Sequence, residues 1–460
     1  MKQIILSIIL LNIYSVFSQQ VFDFESFKMR VLTFHPVIKQ AQNRVKNGNY
    51  EVLKAKGMLD PKFASEISSK QFKDKEYYNL SNTGLKIPTW FGVDFKTGYE
   101  INKGQFISEE HATPGSGLWY AGVDIPLGQG LLFDERRSTI LQAKIFQKNS
   151  ENEQKLIIND LLLDAYANYW FWYEAFQKLN VSKEGLDFAK IRFLGVKQNA
   201  LLGEVPAIDT VEAKIQLDNR QADYIQNLYA YQNAQLALNL YLWSDDFIPL
   251  ELDTNSIPVS QISAVFKKEK LLLRTNDSIS SDIPLVLSSL YKLDQLKIEE
   301  KWKKEQLKPQ IDLSYNPLSQ PVGNNPFQNF SINNYKFGLS VYVPLFLRKE
   351  RGSLNQTKIK IENANLDLKY KINEIAQKES ILRNDLFNLY DQLEIQKSQV
   401  KQAKLLRDSE QTRFDIGESS LFLVNSREIS YLTYKIKLAE VEAKVKITEA
   451  KWLWLFSELE

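Results

Sequence analysis

The chain has 460 residues, and 58 Lys and Arg stand against 56 Asp and Glu, so its formal net charge is only +2. That balance lacks the strong basic excess typical of a nucleic-acid-binding protein. Cysteine is absent and only two histidines occur, His35 and His111, which excludes disulfides, thiolate nucleophiles and cysteine-built metal sites. We therefore expect no catalytic residue, no metal site and no cofactor.

The N-terminal segment, residues 1–18, is predicted to be a secretory signal peptide. Lys2 precedes an apolar run, and Val16 and Ser18 stand three residues and one residue before the cleavage site. No later run of about 18 apolar residues occurs, so the sequence predicts no membrane-spanning helix. The exported chain then either stays soluble or enters a membrane as a β-barrel, whose alternating strands leave little hydropathy signal.

Strand alternation is clearest in three segments. From 85 to 101 every second residue is apolar or β-branched, which predicts either one long strand or two strands with a bend near Gly92. The segments 119–127 and 335–345 alternate in the same way. Aromatic side chains are frequent in the first and the last of these segments.

Two long stretches of the chain, 127–205 and 345–460, contain no proline and are permissive for very long helices. We predict helices over about 131–202 and 348–416. In the second helix, apolar residues recur in a heptad pattern typical of a coiled-coil seam, formed by Leu368, Ile372, Ile375, Leu382, Leu386, Leu389, Leu393, Val400 and Ala403.

Each predicted long helix ends at a glycine, Gly203 or Gly417. A second helical segment follows each glycine, over about 207–243 and from 421 to the end of the sequence. A long helix, a glycine turn and a returning helix form an antiparallel helical hairpin.

The two halves of the chain match in the order and spacing of these features. The segment 119–127 corresponds to 337–345, and Pro126 corresponds to Pro344. We interpret this as an internal duplication, in which the strand region of the first half is about 30 residues longer. The predicted organisation is a signal peptide (1–18), a first repeat (19–243) with strands at about 63–127 and a helix hairpin at about 131–243, a connector (244–280), and a second repeat (281–460) with strands at about 310–345 and a helix hairpin at about 348–460.

This order of elements resembles the TolC family of outer-membrane efflux proteins. The clearest similarities are HPVIKQAQNRVKNGNYEVLKAKGMLDPKF (35–63), similar to the opening helix of that family, and RFDIGESSLFLVNSRE (413–428), similar to its helix-turn-helix tip. The resemblance implies a mainly α, α+β fold: strands and very long antiparallel helices, in duplicate, form a trimeric outer-membrane β-barrel joined to a periplasmic α-helical barrel.

The same resemblance implies a function. The chain would be the outer-membrane exit channel of a tripartite efflux or type I secretion system, located in the outer membrane with a long periplasmic part. It would act as a homotrimer that contacts outer-membrane lipid and works with a periplasmic adaptor protein and an inner-membrane pump, without enzymatic activity. The adaptor would contact the helical tips at Gly203, Glu204, Gly417 and Glu418.

The resemblance also directs attention to the channel aperture. Relatives often carry acidic residues six and nine positions after the second tip glycine, where this chain has Leu423 and Ser426. The corresponding positions after the first glycine are Asp209 and Glu212, one helical turn apart on one face. Either these two carboxylates are solvated or paired with lysine, or they line the aperture. We predict a channel constriction to which the second half of the chain contributes mainly hydrophobic side chains and the first half contributes carboxylates.

Two other classes of protein agree less well with the sequence. A soluble periplasmic coiled-coil protein explains the heptads but gives the alternating strands no purpose. An enzyme lacks support, because no phosphate-binding or nucleophile motif occurs. Seven aromatic residues resemble a ligand platform, but their helical spacing favours helix packing; they are Tyr166, Tyr169, Trp170, Phe171, Trp172, Tyr173 and Phe176.

Overall fold

The computed structural model describes residues 20–253, 255–259, 282–321 and 330–459. The predicted signal peptide and most of the predicted connector, residues 260–280, lie outside the described residues. The described helices and strands are, in chain order, β1 (Gln20–Val21), α1 (Phe24–Phe34), α2 (Pro36–Lys56), β2 (Lys62–Phe72), β3 (Lys75–Pro88), β4 (Asp94–Lys103), β5 (Leu118–Pro126), α3 (Glu135–Leu201), α4 (Ala207–Asn239), β6 (Ser256–Ile257), α5 (Pro284–Glu305), β7 (Gln310–Ser319), β8 (Tyr335–Tyr342), α6 (Arg348–Asp415) and α7 (Leu421–Leu455).

The two long helices expected from the proline-free stretches are α3 and α6, of 67 and 68 residues. At about 1.5 Å per residue, each is on the order of 100 Å long. Helix α3 begins after Asp134, whose carboxylate accepts a hydrogen bond from the backbone N–H of Arg137 at 2.9 Å and so caps the first turn. In the described part of the chain, no helix combines the length and the apolar character needed to cross a membrane.

Helix α4, the first returning helix, ends at Asn239 rather than at the expected residue 243. The Asn239 side-chain oxygen accepts a hydrogen bond from the Leu252 N–H at 2.8 Å, and the Leu250 N–H donates to the Leu242 carbonyl at 2.9 Å. These bonds belong to a turn that folds the chain back, and they replace the bonds of a further helical turn.

The heptad seam of α6 is buried where helices of the chain face it. Ile375, Leu386 and Leu389 are almost fully buried, and Leu386 packs with Trp452 of α7. Ala403, further along the seam, packs with Val181 of α3 and two residues of α7. Because these partners are far away in the sequence, the heptads predict the burial but not the partner helix.

Strands β2, β3, β4, β5, β7 and β8 form one six-stranded antiparallel sheet in that order. Of the two alternatives for residues 85–101, the structure contains two strands. The chain reverses between them at Thr89–Val93, where Gly92 has a φ of +94° and the Thr89 hydroxyl donates to the Val93 carbonyl at 2.5 Å. A left-handed residue is needed there, and glycine adopts it without strain.

The first repeat contributes four strands to the sheet and the second contributes two. β2 begins just after Pro61 and β7 just after Pro309, while β5 and β8 lead into the long helices α3 and α6. Among the described residues of the second repeat, no hairpin corresponds to β3–β4. The β3–β4 hairpin accounts for the extra length of the first strand region, and the division into repeats remains an interpretation of the sequence.

The chain divides into two compact units, each built from separate segments. One unit contains the described residues of 1–42, 155–284 and 372–460, and the other contains 43–154 and 285–371 with the six-stranded sheet. This division does not follow the predicted repeats, because the long helices contribute residues to both units.

The aromatic cluster of α3 lies in the core of the first unit. Tyr169 and Trp172 are fully buried, and the Tyr169 hydroxyl donates to the Phe22 carbonyl at 2.9 Å. Phe24 of α1 contacts Tyr169 edge to face with ring centroids 5.1 Å apart. Phe171, by contrast, is 52% exposed. The packing interpretation of the cluster is confirmed for its buried members.

His35 also has a packing role. It is buried, its ring stacks on Tyr241 with centroids 6.1 Å apart, and its Nδ1 accepts a hydrogen bond from the Val37 N–H at 3.2 Å. Burial lowers the pKa of the His35 imidazole, so the neutral form that accepts this bond is favoured. Within the described ranges, no group of three His, Cys, Asp or Glu residues could hold a metal ion.

Candidate functional site

The odd-numbered residues of the six-stranded sheet make a face that is largely apolar and almost free of charge, with uncharged polar residues mainly in β2 and β3. The register of the sheet places side chains of neighbouring strands side by side, and one row crosses five strands through Ile87, Phe95, Val123, Tyr315 and Phe337. Within the six strands, the only charged residues at odd positions stand at strand ends, Lys75 and Lys103. Several side chains of this face are largely exposed, which marks a surface for lipid or for another protein; they include Phe63, Ile67, Phe337, Leu339 and Val341.

The even-numbered face of the same sheet is polar. The Lys96 ammonium contacts the Asp124 carboxylate at 2.6 Å, the Lys86 ammonium contacts the Asp94 carboxylate at 3.0 Å, and Arg136 at the start of α3 contacts Asp94 at 2.6 Å. These groups line an open cavity of about 590 Å³. Since cations and carboxylates are paired here, the face is polar but carries little net charge.

The first predicted helical tip is a tight glycine turn after α3. Gly203 has a φ of +79°, its N–H donates to the Ala200 carbonyl at 3.2 Å, and the Glu204 N–H donates to the Asn199 carbonyl at 2.9 Å. This pair of bonds is the Schellman motif, which satisfies the last carbonyls of a helix and requires a left-handed residue.

The second tip, after α6, repeats the same geometry. Gly417 has a φ of +82°, and its N–H and that of Glu418 donate to the Phe414 and Arg413 carbonyls at 2.9 and 2.8 Å. No heavy atom lies within 4 Å of the position that a Cβ would take at Gly203 or Gly417. The two glycines are therefore required by backbone conformation and not by crowding.

Close to the tips, a buried ion pair links α3 to α7. The Arg192 Nη1 donates to the Glu428 carboxylate at 2.7 Å and to the Asn425 side-chain oxygen at 2.8 Å, and Nη2 also contacts Glu428. The side chains of Arg192 and Glu428 are only 9% and 7% exposed. Arg407 of α6 lies 4.6 Å from the centroid of the Phe188 ring. These contacts join α3 to both helices of the second hairpin.

A cavity of about 890 Å³ opens beside this ion pair. Its lining includes Arg192, Glu204, Gln411, Gly417 and Glu428. The cavity brings residues that follow the two tip glycines next to the charged pair, and so the tips form a polar recess rather than a closed apolar contact.

The four predicted aperture residues lie at corresponding places in the two returning helices. Asp209 is half-buried and Glu212 exposed near the start of α4, whereas Leu423 is 38% exposed and Ser426 half-buried near the start of α7. The nearby Lys214 is paired with Asp218 at 2.5 Å. Among the residues that the structure describes, neither Asp209 nor Glu212 forms an ion pair, so the lysine-paired alternative has no support within one chain.

Solved structures with the same architecture come from bacterial outer-membrane channels. The outer-membrane channel CmeC of Campylobacter jejuni is similar over 94% of this chain and 85% of its own, at 14% identity and a TM-score of 0.64. The open-state outer-membrane channel MtrE of Neisseria gonorrhoeae is similar over 94% and 89%, at 14% identity and a TM-score of 0.67. The outer-membrane protein VceC of Vibrio cholerae is similar over 94% of this chain and 95% of its own, at 12% identity and a TM-score of 0.66. The chain has the TolC fold.

The resemblance that the sequence indicated is thereby confirmed at the level of the fold. No protein-family model matches the chain, and no curated protein matches it in sequence. A mainly helical TolC-like chain with one antiparallel sheet agrees with the expected fold class. The roles of the tip and aperture residues and the assembly into a trimer stay predictions.

Two features of this TolC-like chain escaped the sequence analysis. The Arg192–Glu428 pair joins residues 236 positions apart. Glu428 ends the segment 413–428 that resembles the helical tip of the family, but no sequence pattern identifies Arg192 as its partner. The polar face of the sheet also went unrecognised as a separate feature, although a signal for it was present: within the strands, Lys, Asp and Glu fall almost entirely at even positions.

Proposed function

We propose that this protein is the outer-membrane exit channel of a tripartite efflux or type I secretion system. It conducts substrates passively, and an inner-membrane pump delivers them through a periplasmic adaptor. The observation that carries the proposal is the sheet of the TolC fold, with an exposed apolar face on one side and paired charges on the other. A sheet of this kind fits between lipid and water.

Assembly follows from the physics of the bilayer. Backbone groups at the edges of an open sheet cost several kcal/mol each in lipid, so the edges must be paired. Copies of the same chain supply these partners, and a homotrimer is the assembly that we propose. The long helices extend into the periplasm, where the tips at Gly203, Glu204, Gly417 and Glu418 contact the adaptor.

The alternative of a soluble periplasmic coiled-coil protein fits this surface poorly. Phe63, Ile67 and Phe337 are each more than half exposed and lie on one face. A soluble monomer rarely exposes so many large apolar side chains on one face of a sheet. The exposed face favours contact with lipid.

The first experiment tests location and assembly. The protein should fractionate with the outer membrane as a heat-modifiable trimer on gels. Recovery as a soluble monomer from periplasmic extracts would contradict the proposal.

A pair of neighbouring variants tests which face meets lipid. Leu339→Lys places a charge on the apolar face and should cost about 2–4 kcal/mol near the middle of the bilayer, so the yield of folded trimer should fall sharply. Ser340→Lys is the matched control, because it adds the same charge to the polar face. Equal yields for the two variants would show that the apolar face is not in lipid.

A further inference from the structure

The sheet has a definite number of strands and two distinct edges, which determine how copies can join. We infer that three copies close their sheets into a single eighteen-stranded barrel, six strands from each copy, in which β8 of each copy pairs with β2 of the next. The inference rests on the proposed function for the three copies. The strand number and the joining edges come from the sheet itself.

Strand direction allows only one way of joining that leaves no edge open and keeps every copy in the same orientation across the membrane. All neighbours in the sheet are antiparallel and the strands are even in number, so β2 and β8 run in opposite directions. Pairing β8 with β2 of the next copy continues the alternation and uses both edges of every copy. Pairing β2 with β2 and β8 with β8 would also use both edges, but it would turn neighbouring copies upside down relative to each other in the membrane.

Both edge strands are suited to pairing. Every residue described in β2 and in β8 is exposed in the single chain. The uncharged odd-numbered face continues to the last strand on each side: in β2 Phe63 and Ile67 alternate with Ser65 and Ser69, and in β8 it includes Phe337 and Leu339. Edge strands that stay free usually carry charges or proline on the exposed pattern, or are very short. Neither β2, with 11 residues, nor β8, with 8, has a charge or a proline on its odd-numbered face.

The register of the sheet gives it the stagger that a barrel needs. The row of side chains through Ile87, Phe95, Val123 and Tyr315 meets β8 at Phe337, near the start of that strand. On the other side the row passes the start of β2, because Leu85, two positions before Ile87, is the partner of Phe63. β2 and β8 run in opposite directions, and the row meets both near their first residues. β8 of one copy must therefore shift along β2 of the next copy before the two strands can pair over their full lengths.

The size of this slide agrees with known barrel geometry. When β8 pairs with β2 of the next copy over its full length, and odd residues lie opposite odd residues, the row meets that β2 about six or eight residues further along than it met β2 of the first copy. This is the stagger that each chain adds to the barrel. With about 3.3 Å per residue and about 4.7 Å between strands, the strands then tilt by about 35–43°, within the range of membrane barrels. A sheet without stagger would demand nearly upright strands.

The hairpin β3–β4 sets the width of this barrel. Eighteen strands at this tilt place the backbone about 18 Å from the barrel axis, and barrels of 16–18 strands enclose an aqueous channel. Without this hairpin, three copies would supply twelve strands and a radius of about 12 Å. The polar face, with the Lys96–Asp124 and Lys86–Asp94 pairs, would line the wider channel.

The decisive experiment is an electron cryomicroscopy map of the full-length trimer in lipid nanodiscs. We expect eighteen strands around the barrel and three seams between β8 and β2. Any other strand number, a β3–β4 hairpin outside the barrel wall, or seams between two copies of β2 would overturn the inference.

Disulfide cross-linking identifies the seam independently, because the sequence contains no cysteine. Ser340→Cys is combined with Ala64→Cys in one variant and with Glu66→Cys in another, to cover the two registers. Oxidation should give covalent dimers and trimers, and nothing larger, on denaturing gels. The control pair Ser81→Cys and Ile101→Cys joins neighbours within one sheet and should stay monomeric.

The outcomes separate this inference from the proposed function. A ladder that stops at the dimer, cross-links only within a chain, or no cross-link in either pair would contradict the β8–β2 seam. A trimeric outer-membrane channel with a different strand number overturns only the inference. A protein that is absent from the outer membrane overturns the proposed function itself.

Discussion

At the scale of single residues, buried charge is the feature with the largest expected energetic effect. Arg192 and Glu428 are almost completely buried, and the guanidinium forms several hydrogen bonds to the carboxylate and to Asn425. A buried ion pair stabilises little relative to well-packed apolar residues, but removal of one partner leaves the other charge without compensation. The two partners should therefore behave as a unit.

We expect Arg192→Met to cost about 3–5 kcal/mol of unfolding free energy, because Glu428 is left buried and unpaired. The double variant with Glu428→Met should recover much of that loss. Urea unfolding of the detergent-purified protein measures both. Lys214→Met, which breaks the exposed pair with Asp218, is the control and should cost less than about 1 kcal/mol. Additive losses in the double variant would contradict this coupling.

At the scale of elements, the long helices are ended by backbone conformation at two glycines. Gly203 and Gly417 both have positive φ and open space around the missing Cβ, so a side chain strains the turn without a clash. The same Schellman bonds occur at both tips. The turn geometry, and not the packing around it, is what a substitution changes.

Gly417→Val and Gly203→Val should each destabilise their turn by about 1 kcal/mol or more. We expect the double variant to lose adaptor binding and export, measured by co-purification and by complementation of a deletion strain, while the trimer still forms in the outer membrane. Gly195→Ala is the matched control, because Gly195 lies inside α3 and its Cβ would also meet open space. Unchanged export in the double variant would show that these turns are not the contact site.

At the scale of the whole molecule, ion selectivity depends on groups that three copies bring to one opening. Asp209 and Glu212 would supply up to six carboxylates, and Leu423 and Ser426 would make the second-half contribution uncharged. Charge in a narrow passage biases ions electrostatically. Within the described part of one chain, neither Asp209 nor Glu212 forms an ion pair. Both carboxylates are therefore available to attract cations at the opening.

In planar bilayers, Asp209→Asn should lower the preference for cations, because it removes three carboxylates from the opening. Leu423→Asp should raise that preference and introduce block by multivalent cations. Reversal potentials in a salt gradient measure both effects, and Lys214→Met serves as a control for a change of charge on the same helix. If neither variant shifts the reversal potential, neither position faces the pore.

The amino-acid sequence was sufficient for the long helices, the turns that end them and several strands of the sheet. Proline-free stretches and heptads located α3 and α6 closely, and strict alternation located β4, β5, β8 and the last four residues of β3. These signals are local, because a helix or a strand depends on residues within a few positions of each other. Glycine at 203 and 417 marked the turns for the same reason, since the left-handed conformation belongs to a single residue.

Tertiary structure alone determined which of these elements meet. The alternation over 85–101 was compatible with one strand or two, and only the pairing of β3 with β4 across the turn at Gly92 decided it. The order of the six strands, their stagger and the Arg192–Glu428 pair also connect residues far apart in the chain. Such contacts depend on register and on the packing of distant segments, and a period read along one segment contains no information about its partner.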